Sequence, residues 1–239
     1  MISKSFVKGT EVAYAERKTS DLVFVDAGAR IGEIFGSVPG TGTFFSTNSG
    51  CLTIDKLGVT ESFGKVWSPY PFDIPERDWS TAEIHLFEPN DDYHSDLFVL
   101  AKRLSNYCVS TTVHTSAVWI NKEVKFFHVY DTGLGSTLLN REGNKEETKM
   151  INCVSFKSFL LELPGNDIHV KMDIEGSEYD VLGDVLTNAI CLNKLSSLSI
   201  EWHRDIFPEM ATKFWRYRGQ HMIGAMKAGV MINWWPGEF

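Results

Sequence analysis

Cysteine is scarce and scattered. Cys51, Cys108, Cys153 and Cys191 lie far apart, with no Cys-x-x-Cys pair or Cys/His cluster, so the chain carries neither a zinc motif nor a disulfide framework. Buried thiols in a reducing compartment are the simplest reading. The amino terminus, Met1-Ile2-Ser3-Lys4-Ser5, has no apolar leader, and no run approaches the length of a membrane span. A cytoplasmic protein, or an excised domain of one, follows as the expectation. Basic residues are outnumbered, 23 against 31 acidic, for a net charge of −8. Such a chain gains little from counterion release at phosphates, which argues against an extended nucleic-acid interface. Internal repeats and low-complexity segments are absent. The chain also lacks a Gly-x-Gly-x-x-Gly turn after its first strand, which weakens a nicotinamide dehydrogenase reading.

What remains is an ordinary globular composition. Of 239 residues, 43% are hydrophobic and 23% charged, enough for one domain with a full core. The chain is organised around Val170-Lys171-Met172-Asp173-Ile174-Glu175-Gly176-Ser177-Glu178. An apolar run breaks at an acid, then passes into a helical pattern carrying Tyr179, Leu182, Val185 and Leu186. A strand–turn–helix junction of this kind sets Asp173 at the carboxyl end of a buried strand, the edge where open α/β sheets bind ligands. Asp173 and Glu175 can share a proton, accept one from a substrate hydroxyl, or hold a metal ion.

Similar edges recur. Leu22-Val23-Phe24-Val25 reads as a doubly buried strand closing on Asp26-Ala27-Gly28-Ala29-Arg30-Ile31-Gly32, where glycine permits a tight turn. Ile84 to Phe87 closes on Glu88-Pro89-Asn90, and Tyr93, Leu97, Leu100, Ala101 and Leu104 give the following helix its period. Val113 to Val118 reads as a third strand and Val124 to His128 as a hairpin partner. Residues 140–149 are highly charged and read as a solvated connection; Val154 to Leu163 reads as a short amphipathic helix stopped by Pro164-Gly165. Leu195 to Trp202 is a further strand, which brings Glu201 and His203 to the edge shared by Asp173 and Glu175. A histidine beside carboxylates can titrate near neutrality and act as a general base. Pro208 to Lys227 forms a helix, with Met210, Phe214, Tyr217 and Met222 on one face and a solvated Lys213, Arg216 and Arg218; Val230 to Trp235 ends the sheet.

Three of these stretches, in order, resemble the FkbM-type methyltransferases, a class I Rossmann-like family that uses S-adenosylmethionine. They are Lys171-Met-Asp-Ile-Glu-Gly-Ser-Glu178, Asp26-x-Gly28-Ala29-x-x-Gly32 and Phe87-Glu88-Pro89-Asn90. The resemblance implies a mostly parallel seven-stranded sheet with one antiparallel strand and helices on both faces, in a single domain over 1–239. It implies that Asp26, Gly28, Ala29 and Gly32 line the methionine part of the cofactor, that Glu88 with Pro89 holds the ribose, and that Ser116 and Ala117 read the adenine. Where the family has Asn, this chain has Arg30, which can reach a carboxylate or an anion, or project into solvent.

The implied reaction is O-methylation of a sugar or glycan hydroxyl, positioned or deprotonated by Asp173, with Glu175 and His203 next. Ser136, in a Gly133-Leu-Gly-Ser136 loop, and Glu201 would contact the acceptor. Asp173, Glu175 and Glu201 could also ligate Mg²⁺, and Lys171 would lie beneath, paired with an acid. The chain would act on a glycoconjugate, as a whole enzyme or as one domain of a larger polypeptide working with glycosyltransferases. A lipid, peptide or small-metabolite acceptor, or a non-catalytic cofactor- or glycan-binding module, stays open. One feature departs from the family: residues 36–82 form an insert after the first βα unit, with Phe44, Phe45, Phe63, Trp67, Tyr70, Phe72 and Trp79. It reads as a lid over the acceptor, with Trp67 and Tyr70 against it, or as a small core of its own.

Overall fold

The computed structural model describes residues 22–29, 82–105, 110–130, 136–140 and 145–236. Arg30, Gly32, Trp67, Tyr70, the Gly133–Gly135 part of the loop and the 36–82 insert (Ala82 apart) lie outside the described residues. So do Cys51 and Cys108, whereas Cys153 and Cys191 are free and buried.

The strands of the main sheet are built largely on the apolar runs. β1 (Val23–Ala27) is buried along its whole length, and its β-branched and aromatic side chains suit a strand covered on both faces. It pairs in parallel with β2 (Glu83–Phe87) on one side and β7 (Ile168–Met172) on the other. The order β3-β2-β1-β7-β8-β9 is completed by β3 (Ser110–His114), β8 (Leu195–Trp202) and β9 (Met231–Pro236). All of its neighbouring pairs are parallel. The main sheet is parallel as expected, with six strands among the described residues; β9, at the carboxyl end, is parallel where one antiparallel strand was expected. Its connections run outward from β1 in opposite directions. Right-handed crossovers then set α1 (His94–Ser105) on one face, and α3 (Glu178–Val185) and α5 (Pro208–Lys227) on the other.

Between β3 and β7 the chain leaves this sheet. The expected strand from Val113 to Val118 breaks at Thr115-Ser116, and β4 (Ala117–Trp119) joins a second sheet of order β4-β6-β5. β5 (Glu123–Tyr130) and β6 (Lys145–Ser155) form its antiparallel hairpin. The charged 145–149 stretch is thus strand, not connection, because Glu147 and Thr148 stand on an exposed part of a two-stranded ribbon. α2 (Phe156–Glu162) starts two residues later than the pattern suggested, capped by Ser155. A short α4 (Ala189–Lys194), capped by Asn188, has no counterpart in the sequence reading. Lys194 Nζ reaches back to the carbonyls of Leu160, Leu161 and Leu163 at 3.3, 3.1 and 2.5 Å, closing the carboxyl end of α2. On α5 the buried face is Ala211, Phe214, Met222 and Ala225; Tyr217, expected there, is exposed.

One imidazole pair, His85 buried and His114 half-buried, sits among aromatic rings. His85 Nδ1 and His114 Nε2 lie 3.0 Å apart, with Phe87 stacked on His114 at 4.1 Å and Phe159 edge-on to both imidazoles. Burial pushes both imidazoles down to about 4, and for His114 the charge of His85 adds to the effect. With the folded value below that of the free side chain, the unfolded chain takes up protons first as pH falls. The stability these groups allow is therefore complete above about pH 6.5 and is lost on the way down through pH 4. Chemical denaturation at pH 7 and pH 4 should differ by on the order of 2–3 kcal/mol from this source. A His114→Phe variant should show a shallower decline, and an unchanged slope would rule the pair out as the cause.

Candidate active site at the carboxyl edge of the sheet

The order of strands reverses at β1 and β7, and the loops leaving their carboxyl ends meet there. Backbone hydrogen bonds lace these loops together. Gly28 and Ala29 N–H groups donate to Phe87 O at 3.0 and 2.9 Å, Asp173 N–H to Ala27 O at 3.0 Å, and Glu88 N–H to His114 O at 3.0 Å. Gly28 has φ +81, and a Cβ there would lie 1.7 Å from Asp173 O, so only glycine lets the β1 turn pass so close to β7.

Beneath this turn lies Lys171, buried near the end of β7. Its ammonium donates to Gly28 O at 2.7 Å and lies 3.2 Å from Asp26 Oδ1 and 3.5 Å from Asp173 Oδ2. The expected pairing of Lys171 with an acid is thus present, with Asp26 as the nearer carboxylate. Asp26 itself is fully buried. It stands behind the Gly28 turn and is tied to it through Lys171.

The acid turn follows β7. Glu175 takes φ +54 and Gly176 φ +95, and a Cβ on Gly176 would meet the Phe207 ring at 2.2 Å. Thr137 Oγ1 donates to Glu175 O at 2.6 Å, so the end of the glycine/serine loop lies against the turn, with the neighbouring Ser136 Oγ buried. Glu178, at the first position of α3, is fully buried. Its Oε1 accepts from Ile174 N–H at 2.7 Å and lies 3.2 Å from His203 Nδ1.

His203, just past β8, joins these parts. Its Nε2 lies 3.3 Å from Glu175 Oε2, 3.7 Å from Asp173 Oδ1 and 3.9 Å from Glu201 Oε1. Burial alone would lower the affinity of His203 for a proton. The charges of Glu178, Glu175 and Asp173 and the Glu178 hydrogen bond prevail and raise it to about 10. His203 is thus an imidazolium at neutral pH, not a base titrating near neutrality. Asp173 is likewise held below the usual carboxylate range: burial opposes this, but the charges of Lys171 and His203, with hydrogen bonding to Glu201 and Lys171, outweigh it. Asp173 is ionised, a good hydrogen-bond acceptor but a weak base.

The four edge residues expected from the sequence, Asp173, Glu175, Glu201 and His203, therefore converge on one point. Asp173, Glu175 and Glu201 keep 19%, 23% and 13% of their side chains exposed. Glu88 closes β2 on the far side of β1, its Oε1 held by Asn90 N–H at 2.7 Å. Pro89 and Ser116 are half-buried at neighbouring strand ends, and Ala117 is buried in β4. Glu178 was missed as a site residue. It closes the Lys171–Glu178 string, but its tie to His203 spans 25 positions. A separate groove of about 680 Å³ between α3 and α5 is lined by Tyr179, Phe214, Tyr217 and Lys157, and by none of the acid-edge residues.

A parallel sheet whose order reverses at β1, with a glycine turn and acids at its carboxyl edge, defines a Rossmann-like α/β protein. The chain belongs to the methyltransferase FkbM domain family, whose model matches residues 26–226, and so it is a methyltransferase. No curated protein and no solved structure matches it. No described helix is long and apolar enough to cross a membrane.

Proposed function

We propose that the chain transfers the methyl group of S-adenosylmethionine to a hydroxyl of a sugar or glycan. The observation that carries this is the convergence of Asp173, Glu175 and Glu201 beside the Gly28 turn in a chain of this family. The edge residues suit the cofactor: a glycine turn backed by Lys171 for the methionine part, Glu88 for the ribose, and Ser116 at the adenine end. The cofactor supplies a methyl group already activated on a sulfonium, so the protein's share is alignment and removal of one proton.

Asp173 and Glu201 accept hydrogen bonds from the acceptor hydroxyl and aim its oxygen at the methyl carbon. The hydroxyl proton passes to this carboxylate group as the new C–O bond forms. His203, a buried cation, helps to hold the Asp173 carboxylate ionised and draws Glu175 and Glu201 close. Lys171 fixes the Gly28 carbonyl and the Asp173 carboxylate in a common frame. A polyhydroxyl acceptor suits the edge because it offers donors to a set of exposed acceptors.

Titration calorimetry with S-adenosylhomocysteine tests the cofactor assignment. Saturable binding is expected, weakened at least tenfold, about 1.4 kcal/mol, in Glu88→Ala. A folded wild-type chain that does not bind would leave only a recruited binding module. Where binding holds, methyl transfer to a panel of free and methylated oligosaccharides decides the acceptor. Lipid, peptide or small-metabolite hydroxyls methylated in preference to all of them would overturn the glycan assignment.

A further inference from the structure

We propose that Asp173, Glu201 and His203 bind one divalent first-row transition-metal ion, of the Mn²⁺, Co²⁺ or Zn²⁺ kind, in preference to Mg²⁺. The sequence pointed to an all-oxygen set of Asp173, Glu175 and Glu201; the structure exchanges Glu175 for an imidazole. One donor atom from each of Asp173, Glu201 and His203 lies within 4.8 Å of the other two. Metal–ligand bonds of about 2.0–2.2 Å hold donor atoms roughly 3.0–3.5 Å apart. The 3.7 and 3.9 Å separations from His203 Nε2 to Asp173 and Glu201 close to that by a few tenths of an ångström.

A second observation comes from outside the triad. Glu178 is fully buried and lies 3.2 Å from His203 Nδ1. Metal-ligating histidines are commonly held in this way by a carboxylate on the other ring nitrogen, which fixes the tautomer and raises the basicity of the ligating one. With Nδ1 held by Glu178, an ion would displace the Nε2 proton of the imidazolium and take its place beside Asp173 and Glu201. His203 is only 4% exposed, yet none of the oxygens around Nε2, at 3.3, 3.7 and 3.9 Å, falls within the usual 2.7–3.2 Å of an N–H···O bond. The nitrogen is aimed into the cluster and spaced for an ion.

Charge points the same way. Four carboxylates, from Asp173, Glu175, Glu178 and Glu201, surround one imidazole. A mixed imidazole–carboxylate set favours the later first-row ions over Mg²⁺, which takes oxygen ligands and keeps much of its water. Three protein ligands leave open positions on the side where Asp173 and Glu201 remain exposed. A hydroxyl bound there would lose its proton more readily. That last use rests on the proposed methyl transfer; the metal site itself does not.

The test uses the intact chain stripped with a chelator. Equilibrium dialysis and the visible absorption of Co²⁺ should show one ion per chain, with Mg²⁺ binding about a hundredfold more weakly or less. Glu201→Gln and His203→Asn should each weaken Co²⁺ by about tenfold or more and alter its absorption bands. Glu88→Ala should stay within about threefold of wild type. Thermal melts of each variant separate loss of the site from loss of the fold, and the intensity of the wild-type Co²⁺ bands reports the coordination number without any variant. Failure of stoichiometric Co²⁺ binding in a chain that takes up S-adenosylhomocysteine overturns the site and leaves the methyltransferase assignment standing. Co²⁺ binding that survives both ligand substitutions overturns its location, and Mg²⁺ binding as tight as Co²⁺ overturns its class. Co²⁺ binding in a chain that refuses S-adenosylhomocysteine supports the metal site while sinking the cofactor assignment.

Discussion

Gly28→Ala is expected to cost the fold about 3–5 kcal/mol, a large part of the about 5–15 kcal/mol that holds a typical domain folded. Two penalties combine. The residue holds φ +81, a left-handed conformation that a Cβ disfavours, and the added carbon would lie 1.7 Å from Asp173 O and 2.8 Å from Asp173 C. Both obstacles are backbone, so no side chain can swing aside. Moving the turn instead would strain the Gly28 and Ala29 bonds to Phe87 O and the Asp173 bond to Ala27 O, which tie β1 to its neighbours. Urea unfolding measures the loss as a lowered midpoint. Gly224→Ala serves as the opposite control: it lies in α5 with nothing within 4 Å of a built Cβ, and should gain about 0.5–1 kcal/mol. A Gly28→Ala chain as stable as wild type would mean that the two strand ends do not approach so closely.

Elements dominated by local chemistry were readable from the sequence. β1, β2, β7 and β8 are short apolar runs bounded by acids or glycine, and α5 opens on a proline at its first turn. The elements that escaped are those whose stability comes from partners. The charged start of β6 pairs across a hairpin with β5, and its side chains resemble those of a loop because a ribbon with a solvated face needs few apolar residues. α4 has six residues, too few to show a helical period. The turn at Thr115-Ser116 that carries β4 out of the main sheet follows from where the chain packs, not from a breaker residue.

The site divides along the same line. Asp173, Glu175, Glu201 and His203 follow acidic or polar ends of recognisable strands, so topology alone brings them together. Their protonation could not be read this way. His203 is a cation because Glu178, Glu175 and Asp173 surround it, and these come from a turn and a helix start that only the folded chain sets around the end of β8. Asp26 shows the same limit: its place beside a glycine turn suggests a ligand contact, and only the folded chain shows the Lys171 ammonium 3.2 Å from its carboxylate.

Lys171→Met is expected to destabilise the chain by about 3–5 kcal/mol, the usual result of removing one partner from a buried ion pair. Asp26 is fully buried and cannot turn to water, and Asp173 would lose the larger of the two positive charges that hold it ionised. In the wild type the lowered Asp173 value means stability that is present above the ordinary carboxylate range and lost as pH falls through the folded value. Without the lysine, burial dominates and raises the carboxylates. The variant should then be least stable at neutral pH and recover as pH falls toward about 4, where the buried acids are neutral. Its pH slope is opposite to that of the parent. Adding Asp26→Asn removes the stranded charge, so the double variant should recover about 1–3 kcal/mol relative to the sum of the two single losses. Additive losses, or a Lys171→Met chain with the parent's pH slope, would show that the lysine fills space without balancing charge. Recovery in the double variant would instead show that Asp26 is present to hold the lysine, and through it the Gly28 carbonyl, under the edge where methyl transfer is proposed.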